Sequence, residues 1–314
     1  MFEVRFDPST GRKVIYAPER ARRPSDYRAD CPEAVESASC PFCPGNERET
    51  TKEVFALRDS GGPNEPGWRV RVVPNRYPAL TPPGGFHEVI IESPVHGETW
   101  AGAPVRRIEE ALAAWKARLE RLGREPRIRS AVIFKNHGWR AGATRVHPHS
   151  QLMALPFVTP QLDYELQAAG EGPCPRCRDL KDAGGRLVFE NESYAAIAPA
   201  ASRQPYEVWL MPRAHEARFE TTGGLRPLAE ALQRLWRCVE TALGKPDLNA
   251  VLMTAPPETD GRQYHWRIEV LPRLGTLAGF EWATGCYINS VLPEQAAEAF
   301  RRVDRGAGPP GGAG

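Results

Sequence analysis

The feature that most constrains this chain is that it repeats itself. Cys40-Pro-Phe-Cys43 is followed by HEVIIESPVH, which ends at His96, then by an amphipathic stretch, an apolar run and His147. Cys174-Pro-Arg-Cys177 is followed by YEVWLMPRAH, which ends at His215, then by the same succession up to His265. A Glu-Val pair (Glu88-Val89, Glu207-Val208) stands at the same distance before the first histidine of each copy. One such match could be chance. Agreement of cysteine pair, Glu-Val offset, histidine interval and helix phase points to two copies of one supersecondary unit.

The amphipathic stretches are helices. Ile108, Leu112, Trp115, Leu119 and Leu122 recur at the spacing of one buried helical face, and Leu228, Leu232, Leu235, Val239 and Leu243 do nearly the same. Gly123 and Gly244 stand where left-handed C-terminal caps belong. AVIFK at 131–135 and AVLMT at 250–254 read as the strands that follow, and VRVVP at 70–74 and VIIES at 89–93 as strands that precede the first helix. The expected fold is α+β: two units, each an antiparallel sheet with a packed helix, parting near residues 157–170. The expected boundaries are 1–158, 159–304 and a disordered Pro/Gly tail at 305–314.

Composition removes several classes. The chain has 314 residues and a formal charge of +2, so nothing suggests an electrostatic footprint for nucleic acid. No apolar run is long enough to cross a membrane, and the charged start lacks the apolar region of a signal peptide. A cytoplasmic protein is expected. Seven cysteines, an odd number, fit a reducing compartment. Cys31, Cys238 and Cys286 lie outside the repeated pairs and read as small buried side chains.

Zinc takes tetrahedral Cys and His ligands, and a C-x-x-C turn puts two sulfurs on one ion. The repeat therefore predicts two closed, structural sites: Cys40, Cys43, His96 and His147, and Cys174, Cys177, His215 and His265. His87 and His137 read as surface residues. That leaves His149. In RVHPHSQLMALP, residues His147, His149 and Gln151 alternate along an expected strand and share a face, while Pro148 suggests an edge or a strand end near a pocket. The metal histidine has a counterpart, His265, but the position of His149 is occupied by Arg267. His149 thus has a separate job. Neutral imidazole is a nucleophile that can form a covalent bond to phosphorus, and the Gln151 amide can donate to a phosphate oxygen. A zinc-dependent binding module is the rival from another class, disfavoured by the near-neutral charge and by His149 with Gln151.

H147-P-H149-S-Q151 and C40-P-F-C43-P-G-N resemble the galactose-1-phosphate uridylyltransferase family, within the histidine triad superfamily. The similarity extends through RARRP at 20–24, PNRYPAL at 74–80, FKNHG at 134–138 and GFEWATGCYIN at 279–289. The resemblance implies two histidine-triad-like units, a homodimer, and a ping-pong exchange of UDP-glucose and galactose-1-phosphate through a uridylyl-histidine at His149, with Gln151 steadying the phosphoryl oxygens. It also implies phosphate or nucleoside contacts at Arg20, Arg23, Asn75, Arg76, Asn136, Gly142, Ala143 and Thr144. Arg76 stands where many members have Asp, and Arg145-Val146 where the bacterial pattern has Asn-Pro. The string HSQLMALP and the second cysteine pair are closer to a branch that includes ADP-glucose phosphorylase, in which the histidine is adenylylated and phosphate is the acceptor.

Overall fold

The computed structural model of the chain describes residues 3–7, 12–16, 39–169, 172–259, 261–262 and 264–307. Cys31, Arg20, Arg23 and most of the expected tail lie outside them. A two-stranded ribbon, β1 (Glu3–Asp7) and β2 (Arg12–Tyr16), stands apart from a ten-stranded antiparallel sheet. The first half supplies β3 (Phe55–Arg58), β4 (Trp68–Pro74), β5 (Phe86–Ile91), β6 (Ser130–His137) and β7 (His149–Leu155). The second supplies β8 (Leu187–Glu190), β9 (Tyr194–Ile197), β10 (Val208–Pro212), β11 (Leu248–Met253) and β12 (Arg267–Pro272). The order is β3-β4-β5-β7-β6-β11-β12-β10-β9-β8, so each half has the same internal order and the two meet where β6 pairs with β11. The repeat thus makes one continuous sheet rather than two sheets side by side.

Helix α1 (Val105–Gly123) lies on the face of β3–β7, and α4 (Arg226–Leu243) on β9 and against α1. Their expected apolar faces are the buried ones: Ile108, Leu112, Trp115, Leu119 and Leu122 on α1, and Leu228, Leu232, Leu235 and Val239 on α4. They meet the sheet residues of one parity, Ile90, Ile133, Leu152, Leu210, Leu252 and Ile268, in a single core. Trp115 Nε1 donates to Ser150 Oγ at 2.8 Å, which satisfies two buried polar groups and fixes α1 beneath β7. Arg118 makes a buried bidentate pair with Glu88 at 2.6 and 2.8 Å.

Three shorter helices lie outside the repeat pattern, α2 (Pro160–Ala169), α5 (Gly279–Thr284) and α6 (Pro293–Asp304), while α3 (Pro175–Lys181) carries Cys177 of the second cysteine pair. Gly244 caps α4 with φ +71°, as expected, but Gly123 is the last helical residue of α1 and is followed by Arg124 at φ −84°. With helical φ at position 123, α1 ends without a left-handed residue. The Glu-Val match is one residue out of register: Val89 faces Gln151 and Trp209 faces Glu269, which makes Val208, not Glu207, the counterpart of Glu88. Glu207 precedes β10 and binds Arg203 and Trp209.

Candidate active site and metal centres

Alternation along β7 decides what faces what. Leu152 and Ala154 enter the core under α1, whereas His149 and Gln151 point to the opposite face of the sheet. His147 precedes the strand rather than belonging to it, and β7 lies between β5 and β6, not at an edge. Pro148 sits just outside the ladder, where its missing N–H costs nothing, and its carbonyl accepts from Glu92 N at 3.1 Å.

His149 is 3 % exposed, and its Nδ1–H donates to the carbonyl of His147 at 2.8 Å. That bond sets the tautomer: the proton is on Nδ1 and the lone pair is on Nε2. The ring of Phe42, from the first cysteine turn, packs on the imidazole at 5.3 Å. Behind the strand, the buried Lys135–Glu92 pair (2.6 Å) holds the same segment, since Lys135 Nζ also lies 3.4 Å from the carbonyl oxygen of His149.

His149 and Arg145 line two cavities. The first, about 460 Å³, is walled by Phe42, Asn75, Arg76, Tyr77, Thr144 and Gln151 among others; the second, about 340 Å³, by Asn136, Gly138, Trp139 and Asp247 among others. Of the expected nucleotide contacts, Asn75, Arg76 and Thr144 therefore reach the first cavity and Asn136 the second. Gly142 and Ala143 line neither. They shape the turn between: Gly142 adopts φ +84°, and Ala143 is buried. The second half steadies this turn. Asn249 Nδ2 donates to Asn136 Oδ1 at 2.9 Å and to Ala141 O at 2.8 Å, and Asp247 Oδ2 accepts from Arg140 N at 2.7 Å. Gly138, at φ +83°, lies so close to the Asp247 carboxylate that a Cβ would overlap it.

Both expected ligand sets come together. In each, one ligand atom per residue lies within 4.8 Å of all the others. Cys43 Sγ is 3.4 and 3.5 Å from Nδ1 of His96 and His147, and Cys177 Sγ is 3.3 and 3.5 Å from Nδ1 of His215 and His265. A tetrahedron with Zn–S near 2.3 Å and Zn–N near 2.0–2.1 Å has an S···N edge of about 3.6 Å, so the residues fit the ion. Nε2 of His147 donates to Ser93 O and that of His265 to Pro212 O, each at 2.8 Å, which turns Nδ1 toward the cluster in both halves. Burial also lowers the pKa of both rings to about 4, favouring the neutral form a metal requires. Burial raises the thiol pKa values of Cys43 and Cys177, the latter to about 11, an effect that a cation at the cluster would oppose.

Among the described residues, the second half carries different side chains on the matching face. Arg267, in the place of His149, is buried and paired with Glu165 at 2.8 Å and with Glu269 at 2.7 Å. Its guanidinium and that of Arg176, the residue matching Phe42, lie over Trp209 at 4.6 and 4.8 Å. Two guanidinium groups and an indole thus stand at the positions of Phe42, His149 and Val89, which line the first cavity.

Neither histidine expected at the surface is there. His87 is 4 % exposed, not on the surface, and its Nε2 lies 2.9 Å from Gln151 Oε1. His137 is half-buried beside Trp236, and burial lowers its pKa to about 4. Nothing in the one-dimensional pattern marked His137. The alternation of β5 placed His87 on the same face as Val89, which was the available signal. Cys238 is buried as expected, whereas Cys286 is exposed just past α5.

Comparison with known proteins identifies the family. Residues 72–159 match the model of the galactose-1-phosphate uridyl transferase N-terminal domain, and 116–303 match a domain of unknown function, DUF4921. An ADP-glucose phosphorylase of Arabidopsis thaliana is 34 % identical over 96 % of this chain and 93 % of its own length. The chain belongs to the galactose-1-phosphate uridylyltransferase family, including its ADP-glucose phosphorylase-like branch. It is a nucleotidyltransferase enzyme. A galactose-1-phosphate uridylyltransferase of Thermotoga maritima is 26 % identical over 97 % of this chain and 99 % of its own. The crystal structure of an Arabidopsis thaliana ADP-glucose phosphorylase with bound ADP-glucose superposes with a TM-score of 0.79 at 33 % identity, covering 96 % of this chain and 99 % of that one. Among the described residues, no helix is long and apolar enough to cross a membrane.

Proposed function

We propose that this chain is an ADP-glucose phosphorylase: it moves an adenylyl group from ADP-glucose to inorganic phosphate through His149. The observation that carries the chemistry is the tautomer of His149, whose Nε2 lone pair belongs to a ring lining both cavities. The first cavity has the volume of a nucleotide site. In the first step Nε2 attacks the α-phosphorus. A P–N bond forms, the bond from phosphorus to the bridging oxygen breaks, and glucose-1-phosphate leaves with the electron pair. In the second, a phosphate oxygen attacks the same phosphorus, the P–N bond breaks, and ADP forms. Phosphoryl chemistry of this kind needs positioning and charge stabilisation more than proton transfer. Gln151 supplies an amide donor, Arg145 a charge shared by both cavities, and Asn136 and Thr144 further polar contacts. The adenine preference rests on the 34 % identity to a phosphorylase over nearly the whole chain.

A second reading, uridylyl transfer between UDP-glucose and galactose-1-phosphate, is favoured by the family match over residues 72–159 and uses the same steps. Incubation with ADP-glucose or UDP-glucose followed by intact-mass measurement separates them. An added adenylyl group, released as ADP by phosphate, is the expected result. An added uridylyl group favours the second reading, and labelling that persists in His149→Asn overturns both.

We read residues 1–158 as the reactive unit and 159–304 as its supporting partner. The two clusters would hold zinc, which supplies a structural cross-link and leaves no open position for substrate.

A further inference from the structure

We infer that His87 is a positioning residue for the reaction: it fixes which arm of the Gln151 amide faces the nucleotide. The inference rests on the transfer reading above. It starts from a group with no choice of role. The backbone N–H of Ala79 can only donate, and it lies 3.0 Å from Nδ1 of His87. Nδ1 therefore carries a lone pair, and the proton of the neutral ring is on Nε2. That N–H lies 2.9 Å from Gln151 Oε1 and donates to it. Asn75 adds to the same arrangement. Its Oδ1 accepts from Tyr77 N at 2.9 Å, so its Nδ2 is the donor arm. Nδ2 can donate to Gln151 Oε1, 3.5 Å away; its 3.1 Å approach to His87 Nε2 sets two N–H groups side by side and makes no bond of its own.

The consequence falls on the other arm. With Oε1 committed to His87 and Asn75, the NH2 group of Gln151 is the arm presented to the cavity that His149 shares. An amide turned the other way would set a carbonyl oxygen against phosphoryl oxygens, replacing a donor with a repulsive acceptor. A free glutamine samples both orientations. Here a buried imidazole, itself oriented by the backbone of the 75–79 turn, selects one. The turn that carries Asn75, Arg76 and Tyr77 into the cavity is thus the same turn that orients the phosphate-binding amide, so nucleoside and phosphate contacts are set together.

The test is a double-mutant cycle on the full-length chain, reading the single-turnover rate of His149 labelling at saturating nucleotide sugar and the affinity for AMP. His87→Leu removes the donor while keeping an apolar volume. Loss of one preorganised donor to a developing oxyanion costs on the order of 100-fold in rate. The expected result is such a loss for His87→Leu, concentrated in the saturated rate, and recovery to within about tenfold in His87→Gln, whose amide N–H can take the place of Nε2–H. In the Gln151→Ala background, His87→Leu should change the rate by no more than about threefold, because the group it orients is gone. Equal losses in both backgrounds, or no loss in either, overturn the inference. The AMP affinities should show the same non-additivity. They read the role of His87 even if no nucleotide sugar labels the chain, a result that would sink the transfer reading alone.

Discussion

His147 and His149 are two residues apart and face different partners, so conservative changes should have opposite effects. His147 offers Nδ1 to the first Cys/His cluster, with Nε2 held by Ser93 O. His149 has its Nδ1–H held by the carbonyl of His147 and is not among that cluster. His147→Asn should lose one metal equivalent and lower the melting temperature, since structural zinc contributes directly to folding free energy. His149→Asn should keep both its metal and its melting temperature yet accept no nucleotidyl group. Elemental analysis, thermal melting and intact mass on the two variants read the difference; metal lost from His149→Asn with labelling retained would reverse the roles. Sequence separated these two residues because one recurs in the second half and the other does not. It could not reveal His87, because a histidine on an alternating strand looks alike whether it faces solvent or a glutamine on the neighbouring strand. That distinction depends on β5 pairing with β7, a contact between residues 64 apart.

At the scale of elements, the turn from Gly138 to Thr144 depends on β11, an element of the other half. Asn249 satisfies both the Asn136 amide oxygen and the Ala141 carbonyl. Asn249→Ala should destabilise the chain by about 1–3 kcal/mol, the cost of leaving buried acceptors without their donor. It should also slow nucleotidyl transfer while leaving metal content unchanged. An unaltered transfer rate would show that the turn holds its shape without β11. The helix faces, most core strands and both clusters were legible because their periodicity and spacing are local. The pairing of β6 with β11 was not, since both strands are apolar and alternation does not say which neighbour each will choose. Nor was the one-residue shift of the Glu-Val match, which needs a register rather than a spacing.

For the whole molecule, the two halves share a framework and differ in the side chains they set on its matching faces. The second half retains the cluster and the strand order, but Arg176, Arg267 and Trp209 stand where the first half has Phe42, His149 and Val89. One nucleotidyl group per chain is therefore expected. His265→Asn should remove one metal equivalent and lower the melting temperature, and transfer should persist well below that temperature; its complete loss while the chain remains folded would show that the second cluster acts on the reaction. The continuous sheet has a consequence for synthesis. Asn136 on β6 and its cross-strand partner Asn249 on β11 are 113 residues apart. At roughly 5–20 residues per second, a nascent first half waits about 6–23 s for β11 with one side of β6 open. An open strand edge is a template for wrong partners, and a charged side chain pointing inward is one of the ways such edges are blunted. Lys135 on β6 points inward but is already paired with Glu92 of the same half, so that edge stays open until β11 has been made.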